Sequence, residues 1–142
     1  IYDNWEDFCS NYKVIHASGG VVFNENDELL MIYRNKKWDL PKGKREVNES
    51  KINCAFREVI EESGIKDLSL KRFLKNTYHT YELNGESILK ITSWFLMYSN
   101  FKGIFLPQAS EGIEDVQWIK KYNLVKYSKN TYANIAEILL EL

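Results

Sequence analysis

Apolar positions change period several times along this chain. Tyr2, Trp5, Phe8 and Tyr12 recur at three- and four-residue spacings, which predicts a short amphipathic helix over Tyr2 to Tyr12, capped by Asp3 or Asn4 and packed as a lid or edge. The near-continuous apolar runs VIHASGGVVF (Val14 to Phe23) and LLMIYR (Leu29 to Arg34) predict two strands joined as a hairpin through the polar NENDE. Gly19-Gly20 inside the first run marks a bulge or a close backbone approach. Farther on, LSLKRFLKNTYHTYEL and SILKITSWFLMYS flank Asn84-Gly85, the dipeptide favoured by type I′ turns, and predict a long hairpin. Ile113 to Ile119 reads as another strand. Thr131 to Leu142, with Ile135, Ile138, Leu139 and Leu142 in helical register, reads as a closing amphipathic helix.

Between the two hairpins lies a segment with helical signals at both ends. Asn48 or Ser50 can cap its start, Gly64 stands where a left-handed residue ends a helix, and no proline intervenes. At 100° per residue, Ile52, Phe56, Val59 and Ile60 fall on one arc and Glu58, Glu61 and Glu62 on the nearly opposite one. The apolar arc is expected to dock and the acidic one to face a cleft or solvent. Like charges at these spacings cost a few tenths of a kcal/mol per pair, and carboxylates in a last turn oppose the helix dipole by about 0.3–1 kcal/mol each. Arg57, four residues before Glu61 and within reach of Glu49, is the local cation available to offset this. Either the face is merely solvated or it binds a divalent cation, since magnesium takes carboxylates, waters and substrate phosphates as ligands.

Composition narrows the setting. A chain of 142 residues is one domain's length, and 44% hydrophobic with 27% charged residues is ordinary for a globular protein, so a core is expected without disulfide or metal staples. The net charge of -1 gives no overall attraction to nucleic acid or membrane, so any anion binding must be local. Cys9 and Cys54 form no C-x-x-C pair, which suggests a reducing, cytoplasmic setting rather than a disulfide framework. No run is long and apolar enough to span a bilayer, and no signal-peptide pattern opens the chain. It begins at Ile1 rather than Met, as a trimmed chain or part of a longer protein would.

The order of residues in the acidic segment carries a more specific signal. Gly43, five residues, Glu49, seven residues, then Arg57-Glu58-Val59-Ile60-Glu61-Glu62-Ser63-Gly64-Ile65 matches every fixed position of the Nudix box. The chain therefore resembles Nudix hydrolases, and the strand order extends that resemblance from about Val14 onward. Residues 1–13 are expected to be a helical extension packed on a Nudix domain of residues 14–142. The resemblance implies an α/β fold, an α/β/α sandwich with a mixed β-sheet and a loop-helix-loop motif. It further implies hydrolysis of a diphosphate linked to another group, with magnesium or manganese. Carried over by position, Glu58, Glu61 and Glu62 become metal ligands, with the Gly43 carbonyl a further one. Glu49 and Arg57 become the ion pair holding helix to loop. The general base varies within the family and is left open among the three glutamates. Family members often add a glutamate from a later loop; in PQASEGIED, Glu111 is preferred to Glu114.

Substrate choice rests on residues outside the box. Trp38-Asp39-Leu40-Pro41-Lys42-Gly43-Lys44 resembles the branch that cleaves diadenosine polyphosphates and diphosphoinositol polyphosphates, with Lys42 as a phosphate donor. NTYHTYELNGESILKITSWFLM looks most like diadenosine tetraphosphate hydrolases, which carry a tyrosine at about the position of Tyr81. ADP-ribose hydrolases usually place a proline at this distance, and none is present. Tyr78 and Tyr81 fall on opposite faces of a regular strand, and Tyr81 is preferred as the base-stacking residue. Lys90 and, more weakly, Arg34 complete the expected substrate contacts, whereas His16 and His79 read as structural. The expected partner is a small nucleotide polyphosphate, diadenosine tetraphosphate first, with no nucleic acid and no membrane; no oligomeric state is implied. The alternatives are diphosphoinositol polyphosphate, ADP-ribose or nucleoside triphosphate substrates, or a Nudix-like module that binds without hydrolysis. The intact box argues against the module. Asn48, where relatives more often carry glycine, affects the turn rather than the ligands.

Overall fold

The computed structural model describes residues 4–142. Asn4 caps helix α1 (Trp5–Cys9), its Oδ1 accepting the Asp7 N–H at 2.9 Å. The helix ends earlier than the aromatic spacing predicts because Tyr12 leads directly into a strand; Tyr2 and Asp3 lie outside the described residues. Strands β1 (Lys13–Phe23), β2 (Glu28–Arg34), β3 (Lys37–Asp39) and β4 (Lys42–Lys44) precede helix α2 (Lys51–Ser63). The chain continues through β5 (Leu68–Leu83), β6 (Glu86–Ser99), β7 (Ile113–Lys120), α3 (Leu124–Tyr127) and α4 (Ala133–Glu141).

The described strands form a mixed seven-stranded sheet ordered β3-β2-β1-β6-β5, with β4 on β1 and β7 on β2. β1 and β6 run parallel from Lys13↔Ile88 to Phe23↔Tyr98, and the remaining pairs are antiparallel. The expected β1–β2 hairpin exists only at its root, Phe23↔Leu29. Beyond it β4 occupies the β1 edge, and β2 turns to pair with β3 and β7. The long β5–β6 hairpin turns at Asn84 and Gly85, whose φ values of 51° and 82° are those a type I′ turn requires.

Both faces of the sheet are covered, which is why the strand runs read as continuously apolar. Val21, Leu29, Met31 and Trp94 point to one side, against Leu124 of α3 and Ile135, Ile138 and Leu139 of α4. Their chain neighbours Val22, Leu30, Ile32 and Phe95 point to the other, against Ala55 and Val59 of α2. This gives an α/β/α sandwich. Gly19 and Gly20 mark close approaches rather than a bulge. A Cβ on Gly20 would stand 2.6 Å from Val59 Cγ2, and one on Gly19 would stand 2.5 Å from the Pro41 carbonyl oxygen.

Helix α2 is capped by Ser50, whose Oγ accepts the Asn53 N–H at 3.0 Å, and ends at Gly64 with φ 78°. Its packed face differs from the one its large apolar residues suggest. Ile52 and Ile60 are 39% and 44% exposed, whereas Cys54, Ala55, Val59, Glu62 and Ser63 are buried. Contact with Gly20 favours the small and branched residues at 55 and 59 over the larger isoleucines. The carboxylate of Glu62 thereby falls on the packed side instead of opposite it.

Because Gly19 faces backbone that cannot yield, Gly19→Ala is expected to lower unfolding stability by about 1–3 kcal/mol in urea titrations. A loss below experimental error would mean that the β1–β4 contact relaxes freely.

Candidate active site

The site forms where the β3–β4 loop crosses the C-terminal half of α2. The Lys42 N–H donates to Glu62 Oε1 at 2.9 Å, and a Cβ on Gly43 would lie 2.1 Å from Glu58 Cδ. Glycine at 43 therefore lets β4 pass directly over the Glu58 carboxylate. The other wall is fastened to the helix end, with Leu106 N–H donating to the Ser63 carbonyl at 2.9 Å and Gln108 N–H to that of Glu62 at 3.3 Å. Glu111 stands in the short 3₁₀ turn Ala109–Glu111 of this loop.

Arg57 organises the acidic turn. Its Nε and Nη2 hold the two oxygens of Glu49 at 2.7 and 2.9 Å, while Nη1 donates to Glu58 at 2.7 Å and to Glu61 at 3.1 Å. Nη2 also reaches the Lys44 carbonyl at 3.0 Å. The Arg57 hydrogen bond holds the Glu49 carboxyl down at about 2. The loop between Lys44 and α2 is further shaped by Asn48, whose φ of 63° is left-handed backbone that asparagine tolerates in place of glycine.

Glu62 is 2% exposed, and burial pushes its carboxyl up to about 7 against the Lys42 N–H bond and the nearby Lys42 and Arg34 charges. Burial also raises Glu58, with Glu61 and Glu111 adding like-charge repulsion that outweighs part of the help from Arg57. Gly43, Glu58, Glu62 and Glu111 line one cavity of about 440 Å³ together with Arg34, Lys42 and Lys90. Among the described residues no three of His, Cys, Asp and Glu stand close enough to hold a metal as placed. The donors themselves fit a hard divalent cation. They are oxygens, two of the carboxylates are destabilised as anions by burial, and Arg57 already compensates Glu58 and Glu61 with positive charge.

A second cavity of about 550 Å³ adjoins the first through Arg34, Lys42 and Lys90, which line both. Its other walls include Tyr78, His79, Trp94, Asp39 and, from α4 and the residue before it, Tyr132, Asn134 and Glu137. Arg34 stands at a register shift between β2 and β7, which falls at Tyr33/Arg34. Lys90 is half-buried, and desolvation together with the Lys42 and Arg34 charges lowers its pKa. Among the expected site residues, Arg34, Lys42, Gly43, Arg57, Glu58, Glu62, Lys90 and Glu111 meet around the first cavity. Glu49 and Glu61 join them through Arg57. Tyr81 lies outside both linings, its ring 5.2 Å from that of His79, and Tyr78 stands on the cavity wall instead. The edge of Trp5 in α1 meets Tyr78 at 5.2 Å. Asp39, Tyr132, Asn134 and Glu137 are site residues that the sequence reading did not select. Of these, Asp39 alone carried a signal, as an acid set between Trp38 and Leu40.

A family model described as NUDIX domain matches residues 15–139. The chain is 28% identical over 141 residues to mRNA-decapping enzyme subunit 2 of Saccharomyces cerevisiae, covering 95% of this chain but only 14% of that much longer protein. A MutT protein from Methanosarcina mazei superposes with TM-score 0.69 at 20% identity, covering 92% of this chain and 93% of the other. The C. elegans Ap4A hydrolase binary complex gives TM-score 0.66 at 21% identity, covering 89% and 93%. At those identities the structural likeness is one of fold.

Glu62 and Glu49 act on stability in opposite directions. Glu62 is raised from 4.5 to about 7, so its contribution is complete below about pH 4.5 and disappears as pH rises through about 7. Glu62→Gln keeps an acceptor for the Lys42 N–H and removes the charge. In EDTA its melting temperature should match the unmutated protein near pH 5 and exceed it at pH 8, by on the order of 2–3 kcal/mol of stability. An equal difference at both pH values would count against this account. Glu49 contributes above about pH 4.5, and that contribution is lost as pH falls toward about 2.

Proposed function

Because this chain belongs to the Nudix family of hydrolases, which act on phosphorus-containing anhydrides, we infer that it cleaves a diphosphate linkage in a nucleotide polyphosphate, with diadenosine tetraphosphate the first candidate. The observation that carries this reading is the shared wall: Arg34, Lys42 and Lys90 line both the aromatic cavity and the acidic one. A base held against Tyr78, His79 or Tyr132 directs its phosphates past three cations toward the carboxylates. Stacking on an aromatic ring contributes roughly 1–3 kcal/mol and accepts any base. Recognition in this reading therefore rests more on the phosphate chain than on the base.

Glu58, Glu61 and Glu62, with the Gly43 carbonyl and Glu111, are the residues proposed to hold magnesium or manganese. Such an ion, when bound, neutralises phosphate oxygens and makes water nucleophilic near neutral pH. The protein's own contribution is positional. Glu49 fixes Arg57, Arg57 fixes Glu58 and Glu61, and the Lys42 N–H fixes Glu62. The attacking water's proton is accepted by one of the three glutamates.

The likeness to the yeast decapping subunit over 95% of this chain favours a second reading, a capped RNA 5′ end. That relative's activity concerns a much longer protein. A binding module without turnover is the alternative from another class.

A rate panel tests the reading: diadenosine polyphosphates, capped RNA, ADP-ribose, diphosphoinositol polyphosphates and nucleoside triphosphates, each with magnesium and with manganese. Diadenosine tetraphosphate is expected to lead. A lead for capped RNA selects the second reading, a wide lead for ADP-ribose overturns both, and saturable nucleotide binding without turnover points to the module. Glu61→Gln and Glu62→Gln should each lower kcat by about a hundredfold or more with the fold retained. Near-normal rates in both variants would remove these glutamates from the mechanism.

A further inference from the structure

We propose that Asp39 is a positioning residue, a buried carboxylate that sets Arg34 and Lys42 side by side as one phosphate-binding rim and holds Arg34 off Glu62. The proposal rests on the reading of the substrate as a polyphosphate. Asp39 ends β3, is 0% exposed, and is fixed to its own backbone by the Leu40 N–H, which donates to Oδ1 at 2.8 Å. Its other oxygen, Oδ2, accepts both Arg34 Nη2 at 3.2 Å and Lys42 Nζ. One rigid acceptor thus gathers two flexible cations from β2 and β4 into a single wall.

The surroundings give that arrangement a purpose beyond stability. Arg34 Nη1 stands 3.8 Å from Glu62 Oε2, and Arg34 Nε is buried with no hydrogen-bond partner in the described residues. The guanidinium therefore lies between two carboxylates, tied to Asp39 and only loosely attracted to Glu62. Lys90 faces the same junction, and its side chain has no ion pair or hydrogen bond among the described residues. Three cations against the two carboxylates of Asp39 and Glu62 still leave the cluster with excess positive charge directed into both cavities. Without Asp39 the three would repel one another, and Arg34 would move onto Glu62, taking a cation from the rim and occupying an oxygen of the acidic turn. A phosphate chain would then have to reassemble the rim on binding, at a cost to affinity.

Two simple effects of removing Asp39 have opposite signs, which makes the idea testable. Asp39→Asn keeps an acceptor for the Leu40 N–H but adds one net positive charge near the anion. If charge alone mattered, anions would bind more tightly; if positioning matters, more weakly. Inorganic tripolyphosphate binding by calorimetry on the full chain in EDTA reads the rim without metal or turnover. The expected result is a tenfold or greater loss of affinity. With a hydrolysed nucleotide, KM should rise by a similar factor, and kcat, lowered where Arg34 occupies a Glu62 oxygen, should fall by a smaller factor than KM rises. Unchanged or tighter tripolyphosphate binding overturns the proposal.

Thermal melts accompany the measurement. If Asp39→Asn does not fold, Arg34→Gln and Lys42→Met carry the test. A double variant no worse than the weaker-binding single one supports a rim that works as a unit, and additive losses overturn it. Failure of the functional reading is seen separately. A protein that binds tripolyphosphate in this Asp39-dependent way but hydrolyses no nucleotide polyphosphate removes the proposed substrate and leaves the role of Asp39 intact.

Discussion

The guanidinium of Arg57 draws oxygens from Glu49, Glu58, Glu61 and the Lys44 carbonyl toward one point, and the geometry of the loop-helix unit depends on that convergence. Arginine suits the task because its planar fork grips both oxygens of Glu49 and still presents a free edge to two further carboxylates. Lysine, a point charge, has no such fork. Neighbouring carboxylates that would otherwise repel across one helical turn are held at fixed positions, and the loop after β4 is tied down by the same group. Glu58 and Glu61 are thus compensated by a charge already present in the turn.

The sheet provides the rigidity on which that unit stands. Burying alternate residues of β1 and β2 in separate cores leaves neither face free to slip, since a one-residue shift would exchange the two sets of neighbours. Gly20 lets α2 sit close on one face, and Gly19 lets the Pro41 carbonyl cross the strand where the Lys42 loop begins. The close approach also explains why a glutamate is buried. Glu62 lies on the packed side of α2, and the Lys42 N–H gives it a backbone donor in place of water.

Local chemistry was legible in the sequence and long-range assembly was not. Glu49, Arg57, Glu58, Glu61 and Glu62 share one short segment, so helical spacing alone groups them. Asn84-Gly85 marked its hairpin because both residues must take positive φ. By contrast β3 and β4 are three residues each, KWD and KGK, and are strands only because β2 and β1 offer open edges. The docking face of α2 was misjudged because side-chain size says little about how closely a helix can approach a glycine. Tyr132 reaches the aromatic cavity through a pairing of Trp38 with Thr131, reinforced by Thr131 Oγ1 donating to the Trp38 carbonyl at 2.5 Å. No periodicity announces such a contact. Tyr81 shares a strand face with His79, which lines the cavity, yet lies farther along β5 toward the hairpin turn, so how far the cavity extends along the strand is a property of the whole sheet.

The parallel ladder between β1 and β6 has a consequence for how the chain reaches its native state. Every residue of β1 pairs with one far along the sequence, and the β3–β4 loop and α2 lie in the intervening segment. Closing that ladder means closing a long loop before its contacts repay the lost chain entropy, which places this topology among the slower ones to fold. During synthesis the acidic helix leaves the ribosome before β6 does. Until β6 arrives, β1 lacks the neighbour that secures it in the sheet under α2, so full assembly of the cavity waits on the second half of the chain.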